Sequence, residues 1–365
     1  MRPLPIAAAI AAIATPALAQ TPVGEVVVTA PRLPTGVDLV TGLRTVERAE
    51  IEARQATFAS EVLATIPGVS VFRRGIGGLT TVRLRGAEAD KTLVLIDGVP
   101  VNDPADPSGA FDFSSLQMGD IERVEVLSGP QGSLWGSDAI GGVIAFTSRE
   151  PDGWRAEIDG GSYGTVRGLL SGGLRSQDHA LGATLAGYRS DGLSKAASGT
   201  EDDGFETFTG TVTGRARLTE AVELDGKLRY TWSDVEIDGF APPTFTLADT
   251  DERNRSRAWS GFGRLTAQAL GLTHRLSFSA SDLTRDNIGP FPARYTADRA
   301  VWRWTGERGG PDDAFAFVLG AERADADVDL AGRAVADLST SALFAVGRGR
   351  AGLVTATASL RYDDP

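Results

Sequence analysis

The sequence predicts a small α+β domain followed by an antiparallel β-sheet, and two observations support this fold class. Between residues 37 and 150, short helical segments mix with short apolar segments that end at Gly or Asp. After Pro151, apolar and polar residues alternate with a period of two over long stretches. That period places one set of side chains on each face of a strand. The second part of the chain is therefore predicted to be a sheet with one apolar face.

The α+β domain is predicted to contain two helices and five strands. Helical spacing covers Val46–Gln55 and Ala59–Ile66, and the second helix ends at Pro67 and Gly68, as expected of a helix stop. The strand-like segments are bounded by Gly and Asp. They are Val69–Phe72, Thr81–Arg85, Thr92–Ile96, Ile121–Leu127 and Gly142–Thr147.

The alternation after Pro151 is clearest from Val222 to Ser233, where Leu228, Tyr230 and Trp232 alternate with charged or polar residues. It recurs in ten or eleven candidate strands of about ten residues each. In a soluble sandwich the apolar faces of two sheets pack together, whereas in a transmembrane barrel they face lipid. The alternation itself is compatible with both architectures.

Strand length and loop pattern favour the barrel. About ten residues suffice to cross a bilayer at a tilt, and short turns alternate with longer acidic loops at Ser190–Gly204 and Ser233–Arg257. Aromatic residues gather near strand ends, as Trp302 and Trp304 do, which is typical of the girdle at a membrane interface.

Composition excludes several functions. The chain has 36 Lys and Arg against 48 Asp and Glu, so it lacks the basic excess of a nucleic-acid-binding protein. It has no cysteine and only two histidines, His179 and His274, which argues against thiolate metal sites and His-based catalysis. Asp97 and Asp103 are close in sequence, but no nucleophile or phosphate-binding loop accompanies them. We therefore predict that the protein is not an enzyme.

The N-terminus is predicted to be a secretory signal peptide, residues 1–19. Arg2 precedes an apolar segment, Ile6–Ala14, and the small residues Ala17 and Ala19 flank Leu18 before Gln20. The apolar segment is shorter than the roughly 20 residues of a membrane-spanning helix. Residues 20–36 contain several prolines and are predicted to be extended.

Several motifs in residues 62–148 resemble landmarks of one family. They read VLATIPGVSV, TVRLRG, TLVLIDGVPV and IERVEVLSGPQGSLWGSDAIGGVIAF, in this order. Together they resemble the plug domain of TonB-dependent outer-membrane receptors, with the cobalamin transporters most similar. The resemblance implies an α+β plug domain, residues 37–150, followed by an antiparallel transmembrane β-barrel, residues 151–365. It implies an importer in the outer membrane, surrounded by lipid, that binds no nucleic acid.

The segment EVVVTA resembles the TonB box of these receptors. An extended peptide with β-branched residues can add a strand to the sheet edge of a partner. The resemblance implies that this partner is TonB, energised by ExbB and ExbD; the alternative is a first strand packed within the plug. The residues concerned are Glu25, Val26, Val27, Val28, Thr29 and Ala30.

Ligand contacts are expected from two plug loops, by resemblance to cobalamin transporters. Both loops are rich in Gly, Pro and small polar residues, which can offer hydrogen bonds to a large polar ligand. The expected residues are Gly77, Gly78, Leu79, Thr80, Asn102, Asp103, Ser108 and Gly109. Cobalamin is the first choice of ligand and a ferric siderophore the second. A passive porin or structural barrel is the alternative from another class of protein.

Acidic residues in the two long loops suggest calcium. Calcium takes six to eight oxygen ligands in irregular geometry, so neighbouring loops can share one ion. Cobalamin transporters order their ligand-binding loops with calcium, and DDGF at 202–205 resembles part of that site. A solvated acidic loop is the alternative. The candidate ligands are Asp191, Asp202, Asp203, Asp234, Asp238 and Asp249.

Two further expectations concern the assembly of plug and barrel. Charged residues of the plug, namely Arg83, Arg85, Glu122 and Arg123, are candidates for ion pairs with the barrel wall, and the alternative is that they form a solvated charged face. The family's barrel has 22 strands, which need about 220 residues before any loop is counted. Roughly 215 residues follow Glu150. We therefore expect about half of a barrel, as in a truncated product or partial sequence.

Overall fold

The computed structural model describes residues 42–74, 78–103, 105, 109–196, 199–240, 243, 245–310, 313–331, 333–352 and 354–364. An α+β plug comes first, and one large antiparallel sheet follows it. Among the helices of these residues, none combines the length and the apolar character needed to cross a membrane.

The plug is built on a five-stranded sheet with the strand order β1-β6-β7-β4-β5. Only β4 and β7 pair in parallel, and β2 and β3 form a separate hairpin. The strands are β1 Leu43–Glu47, β2 Val69–Arg73, β3 Thr80–Leu84, β4 Thr92–Ile96, β5 Val99–Pro100, β6 Ile121–Ser128 and β7 Gly142–Ser148. The helices are α1 Arg48–Ala53, α2 Ala59–Leu63 and α3 Gly132–Trp135.

The continuous apolar segment Thr92–Ile96 becomes the buried strand β4, because both of its faces are covered. Val94 and Ile96 pack in the main plug core with Phe113 and Phe146. Leu93 and Leu95 pack on the opposite side of the sheet. A strand buried on both faces reads as an unbroken apolar stretch rather than an alternating one.

All five strands predicted for the plug are present, with ends that shift by a residue or so. The first predicted helix, Val46–Gln55, is partly wrong. Its first two residues end β1, where Val46 is fully buried and pairs with Val124 of β6. Pairing with a neighbouring strand overrides the local helical spacing, so the helix begins at Arg48.

The large sheet contains eleven strands within the described ranges, each paired with its neighbours in sequence. β8 and β18 form its edges. The strands are β8 Gly153–Gly160, β9 Val166–Arg175, β10 His179–Ser190, β11 Phe205–Thr219, β12 Val222–Gly239, β13 Ala248–Ala269, β14 Leu272–Ile288, β15 Ala293–Arg308, β16 Phe315–Leu330, β17 Arg333–Ala351 and β18 Val354–Asp364.

Many of these strands are longer than the predicted ten residues. β13 has 22 residues and β12 has 18. The segment Ser233–Arg257, predicted to be a loop, is mostly strand, since β12 continues to Gly239 and β13 begins at Ala248. Polar residues beyond the apolar part of each strand still pair with the neighbouring strand. The predicted strand ends were therefore wrong, because they were set where the sequence becomes polar.

The polar face of the sheet covers the plug and the apolar face points outward. In β11, Thr207, Thr209, Thr211 and Thr213 are at most 5% exposed, whereas Val212 between them is 50% exposed. Leu181, Leu276 and Leu343 on other strands are also exposed. The sandwich alternative is therefore wrong, because the apolar faces do not pack against each other. The sheet is part of a barrel wall around a plug.

Ion pairs join the plug to this wall. Lys227 Nζ lies 2.8 Å from Asp97 Oδ1, and Arg229 pairs with Asp120. Arg285 lies 3.0 Å from Asp103, and Arg155 lies 2.7 Å from Glu52. The pairs found for three of the four residues predicted for this role lie inside the plug instead. They are Arg83 with Glu88, Arg123 with Glu125, and Glu122 with Arg149.

The pair between Asp97 and Lys227 depends on the turn encoded by LIDGV. Asp97 and Gly98 form the two-residue connection between β4 and β5, and both have positive φ, 53° and 83°. Asp-Gly is favoured in such a turn because it tolerates positive φ at both positions. The turn presents the Asp97 carboxylate to Lys227 and to Ser148, whose N–H and hydroxyl both donate to it.

Removal of either partner of the Asp120–Arg229 pair should destabilise the protein. Both side chains are at most 5% exposed, so Asp120→Ala leaves a buried charge that costs about 3–5 kcal/mol. We expect the double variant Asp120→Ala/Arg229→Ala to lose less free energy of unfolding than the two single variants lose in sum. Urea unfolding in detergent, followed by tryptophan fluorescence, measures each free energy. Arg83→Ala, in an exposed pair, is the control and should change it by about 0–1 kcal/mol. Strict additivity would contradict the assigned pairing.

The energetic cost of an arginine on the outward face should depend on its position along the strand. Leu276 lies midway along the apolar part of β14, whereas Leu218, on the same face, lies at the end of β11. In a bilayer we expect Leu276→Arg to cost about 2–4 kcal/mol and Leu218→Arg about 0–1 kcal/mol. Unfolding titrations in lipid vesicles check this. Equal costs at the two positions would mean that the apolar face does not lie in lipid.

Candidate functional site

The two plug loops predicted to contact ligand lie side by side and are joined by Asp112. The Asp112 carboxylate accepts the backbone N–H of Thr80 at 2.9 Å and that of Ser114 at 2.9 Å. Burial raises the pKa of Asp112, while these hydrogen bonds and the charge of Arg285 act in the opposite direction. Residues 78–80 and 109–115 therefore form one continuous surface. Gly77 and Ser108 lie outside the described residues.

The positions in the first loop have structural roles that the sequence did not reveal. A Cβ on Gly78 would lie 1.9 Å from the carbonyl oxygen of Arg74, so the loop closes only with glycine at this position. Leu79 accepts the backbone N–H of Arg74, and the Thr80 hydroxyl donates to the Gly78 carbonyl. These contacts fix the backbone of the loop, in which Gly78 and Thr80 are buried and Leu79 is half-buried.

In the second loop, Asn102 and Asp103 use their side chains to hold the loop. The Asn102 amide oxygen accepts from Val94 N at 2.7 Å, and its NH2 group donates to the carbonyls of Thr92 and Gly109. Asp103 accepts from Ala105 N and pairs with Arg285 of β14. The role in ligand binding stays a prediction for these residues; what the structure adds is their bracing of the surface.

A cavity of about 120 Å³ lies beneath this surface, between the plug and the wall. The plug contributes Asn102, Asp103 and Asp112, and the wall contributes Arg229 and Arg285. Arg229 Nη2 is buried and has no hydrogen-bond partner among the described residues. A cavity of this size has room for several ordered waters, which would satisfy such an atom. Its lining is mixed, since apolar side chains such as Phe111 and Leu283 also contribute to it.

The acidic loop residues separate into two groups. Carboxylate oxygens of Glu201, Asp203 and Asp238 lie within 4.8 Å of one another. We call these three residues the carboxylate cluster. Asp249 lies next to it, because Ser194 donates to both Asp249 and Asp238. Asp191, Asp202 and Asp234 line a separate opening of about 350 Å³, with the basic residues Arg189 and Arg253.

The carboxylate cluster and Asp249 hold residues 194–196 and 199–203 against the adjacent ends of β12 and β13. Asp203 accepts from Lys195 N at 2.6 Å, Asp238 accepts from Ala196 N, and Asp249 accepts from Thr200 N at 2.8 Å. Asp238 Oδ1 is buried without a partner among the described residues. Three clustered carboxylates with an unsatisfied buried oxygen form a donor set that suits a hard cation such as calcium.

Mutual repulsion and burial disfavour full ionisation of the cluster. Burial, and then the charges of Asp249, Asp238 and Asp203, raise the pKa of Glu201. Burial also raises the pKa of Asp203, although the Lys195 N–H opposes this. Burial lowers the pKa of Lys195, against the attraction of Asp203, Asp238 and Glu236. The cluster is therefore electrostatically strained when every carboxylate is charged.

Sequence reasoning noted Glu201 in the acidic loop but did not include it among the candidate calcium ligands, and it missed Asp120, Lys227 and Arg229 as anchors. Glu201 adjoins Asp202 in TEDDGF, and the path of the loop before β11 decides which neighbour faces the cluster. Lys227 and Arg229 are two residues apart on the polar face of β12, which was a usable signal for two adjacent inward cations. Residues 25–30, the predicted partner-binding segment, lie outside the described residues.

Part of the chain is similar to known proteins. Residues 37–143 match the family profile of the TonB-dependent receptor plug domain. The vitamin B12 transporter BtuB of Vibrio vulnificus is 35% identical over 184 residues, which are 50% of this chain and 28% of that protein. BtuB of Photobacterium profundum is 36% identical over 176 residues, 46% of this chain and 28% of that protein. The matched part thus spans less than a third of these relatives.

Solved receptors share the fold. The ferric-catecholate import receptor Fiu from E. coli K12 has a TM-score of 0.71 at 16% identity, with 92% of this chain and 61% of Fiu covered. The ferric yersiniabactin uptake receptor FyuA from Yersinia pestis has a TM-score of 0.67 at 18% identity, with 88% and 56% covered. The chain therefore contains a match to the TonB-dependent receptor plug domain in residues 37–143, within a fold that it shares with solved receptors.

Proposed function

We propose that the protein takes part in TonB-dependent import of cobalamin across the bacterial outer membrane, to which an N-terminal signal peptide directs it. The observation that carries this proposal is the 35% identity to a vitamin B12 transporter over 184 residues. The plug seated on the polar face of the wall supports it, because an importer needs a closed pore that opens on demand. Asp97 and Asp103, the acidic residues considered for catalysis, are instead occupied in ion pairs.

The proposed route for force begins at residues 25–30 and leads to β1. TonB, driven by ExbB and ExbD, pairs with the EVVVTA segment and pulls on the chain that enters Leu43–Glu47. β1 is an edge strand of the plug sheet and pairs with β6. Meanwhile Asp97 and Asp120 hold other parts of the plug to β12. Pulling would therefore act first on an edge strand whose neighbours stay anchored.

Ligand capture is proposed at the surface that Asp112 joins together. Backbone groups of Gly78, Leu79 and Gly109, with the hydroxyl of Ser108, would contact the ligand from the plug. Loop 191–204 would close over it from the wall. A ferric siderophore is the second candidate ligand, supported by the fold shared with siderophore receptors at low identity.

Proline in the TonB box should uncouple uptake from binding. Val27→Pro removes a backbone N–H that strand pairing requires. In cells that carry the receptor, we expect this variant to bind cobalamin normally and to lose nearly all uptake. Val27→Ala keeps the N–H and is the matched control. The readouts are equilibrium binding and accumulation of labelled cobalamin, each with and without TonB.

Several outcomes would contradict this assignment. Unimpaired accumulation by the Val27→Pro variant removes the role of the segment, and accumulation without TonB favours a passive pore. Uptake of a ferric siderophore under iron limitation, with none of cobalamin, favours the second ligand.

We also propose that the carboxylate cluster binds calcium and orders loop 191–204. A carboxyl with a raised pKa contributes stability below its unfolded pKa and loses it as pH rises through the folded pKa. Ionisation of Glu201 and Asp203 therefore loosens the loop as pH rises, and a bound cation would offset this effect. Calcium would also need the ionised forms, so its affinity should increase with pH.

Variants can separate the carboxylate cluster from the other acidic residues. We expect Asp203→Asn to weaken calcium binding by roughly tenfold or more, equivalent to about 1.4 kcal/mol. Asp202→Asn, its sequence neighbour in the separate opening, should leave affinity nearly unchanged. Isothermal titration with calcium between pH 5 and pH 8 measures both variants and the pH trend. Equal losses for the two variants, or affinity that falls as pH rises, would contradict the site.

A further inference from the structure

The inward face of the wall contains a row of four polar residues that crosses β12 to β15. Arg229 lies opposite Ser260, Ser260 lies opposite Ser281, and Ser281 lies opposite Arg299. We call these four residues the Arg-Ser row. Directly opposed residues share one face of a sheet, and Arg229 is on the face that the plug covers, where it pairs with Asp120. The row therefore faces the plug, with an arginine at each end and two hydroxyls between them.

The Arg-Ser row lines the cavity of about 120 Å³ between the plug and the wall. Neighbouring strands lie about 4.7–4.9 Å apart, so three spacings place the backbones of the two arginines about 14 Å from each other. Two long arginine side chains can therefore extend over the serines from both sides. On the plug side, Asn102 and Ser115 border the same cavity. A cavity that holds several waters also has room for a small polyatomic ion.

The side chains of the Arg-Ser row lack acceptors. Arg229 is 4% exposed, and its Nη2 has no hydrogen-bond partner among the described residues. Arg299 is half-buried, and within the described ranges its guanidinium makes no ion pair or hydrogen bond, although the charge of Asp138 attracts it. The hydroxyls of Ser260 and Ser281 likewise have no partner in the part of the chain that the structure describes. Because an unmade hydrogen bond in a buried site is costly, the row is incomplete without a further group.

Arg299 differs from other inward arginines on β14 and β15, which meet a carboxylate. Those pairs are Arg275 with Glu307, Arg285 with Asp103, and Arg303 with Glu322. A charge taken out of water needs a partner to offset the loss of hydration. The charge of Arg299 has no such contact within the described ranges.

The carboxyl groups that border the cavity do not fill this role. Asp103 is already in an ion pair with the wall, and the Asp112 carboxylate accepts two backbone N–H groups of the plug. Burial also raises the pKa of Asp112, which favours its neutral form. Asp282 and Asp298 border the cavity as well, but they are exposed and occupy outward positions of their strands. Arg299 is therefore left without a carboxylate in contact.

We propose that the cavity binds a small inorganic oxyanion, of the phosphate or sulfate type, on the Arg-Ser row. The oxygens of the anion would accept hydrogen bonds from Ser260 and Ser281, while Arg229 and Arg299 supply positive charge from the two ends. The inference does not depend on which ligand the receptor imports.

An oxyanion fits these four residues better than water does. A guanidinium has only donors and stays charged, so its partner must be an acceptor, and its hydrogen bonds to oxyanions are among the stronger ones in proteins. Water would satisfy the donors but would not neutralise the charge of Arg299. An anion held in this cavity would also contact the plug and the wall together, so it would stabilise their closed arrangement.

The test uses the full chain in detergent, freed of phosphate and sulfate and without any imported ligand. Inorganic phosphate is titrated by isothermal calorimetry, with sodium chloride keeping the ionic strength constant. Urea unfolding with and without phosphate is the second readout. We expect saturable binding of a single phosphate per chain and a higher urea midpoint in its presence. Arg299→Gln should weaken the affinity by roughly tenfold or more.

Matched variants separate the Arg-Ser row from a general effect of charge. Ser260→Ala/Ser281→Ala removes both hydroxyls without a change in charge and should weaken phosphate binding. Arg308→Gln makes the same charge change as Arg299→Gln on the same strand, but at an exposed outward position, and should keep the affinity. The phosphate-dependent shift of the urea midpoint is compared within each variant, so a variant of lower stability still tests the site.

Four results would overturn the proposal. The first is the absence of saturable phosphate and sulfate binding, which would mean that the cavity holds water only. The second is full affinity in Arg299→Gln or in the double serine variant. The third is an equal loss in Arg308→Gln, which would indicate a general effect of charge. The fourth is phosphate binding that chloride abolishes at equal concentration, which would exclude a site for an oxyanion.

Discussion

The plug and the wall depend on each other because β12 places two cations, Lys227 and Arg229, on a face that the plug covers. Each cation meets a plug carboxylate, Asp97 or Asp120, with side-chain exposure at or below 11%. A buried charge without its partner is far more costly than the intact pair is beneficial. The main effect of these ion pairs is therefore to fix which part of the plug faces which strand. Their net contribution to the free energy of folding is small by comparison.

The same constraint explains why the plug core and the wall are chemically different. The plug buries its apolar residues around β4 and β6, with Ile121, Val124 and Val126 essentially fully buried. The wall buries threonines instead and exposes leucines, because its apolar surface faces away from the plug. Contact between the two combines these polar groups and ion pairs with small apolar clusters, such as Trp135 beside Phe344 and Ala105 beside Val328. The plug and the wall therefore do not share one continuous apolar core.

Sequence reasoning identified the fold and the strands of the plug, because turn signals such as Asp97-Gly98 and continuous apolar segments act locally. It failed where pairing decides the outcome. Val46 ends a strand rather than starting a helix because β6 is adjacent, and polar residues near Asp234 and Arg255 extend strands because their neighbours do. The carboxylate cluster likewise depends on contacts between segments that are distant in sequence. The sequence indicates that many acids occupy two loops, but only the fold shows that Asp203 and Asp238 converge and that Asp202 turns away.

The acidic side chains of the wall occur in two different arrangements. In the carboxylate cluster, loop 191–204 folds over so that three carboxylates converge from different directions, which is how a small cation is enclosed. By contrast, Asp282, Asp298, Asp327 and Asp337 lie opposite one another on neighbouring strands, so their charges remain in a line on the open outward face. The number of carboxylates therefore does not by itself make a cation site, because the oxygens must also converge on one point.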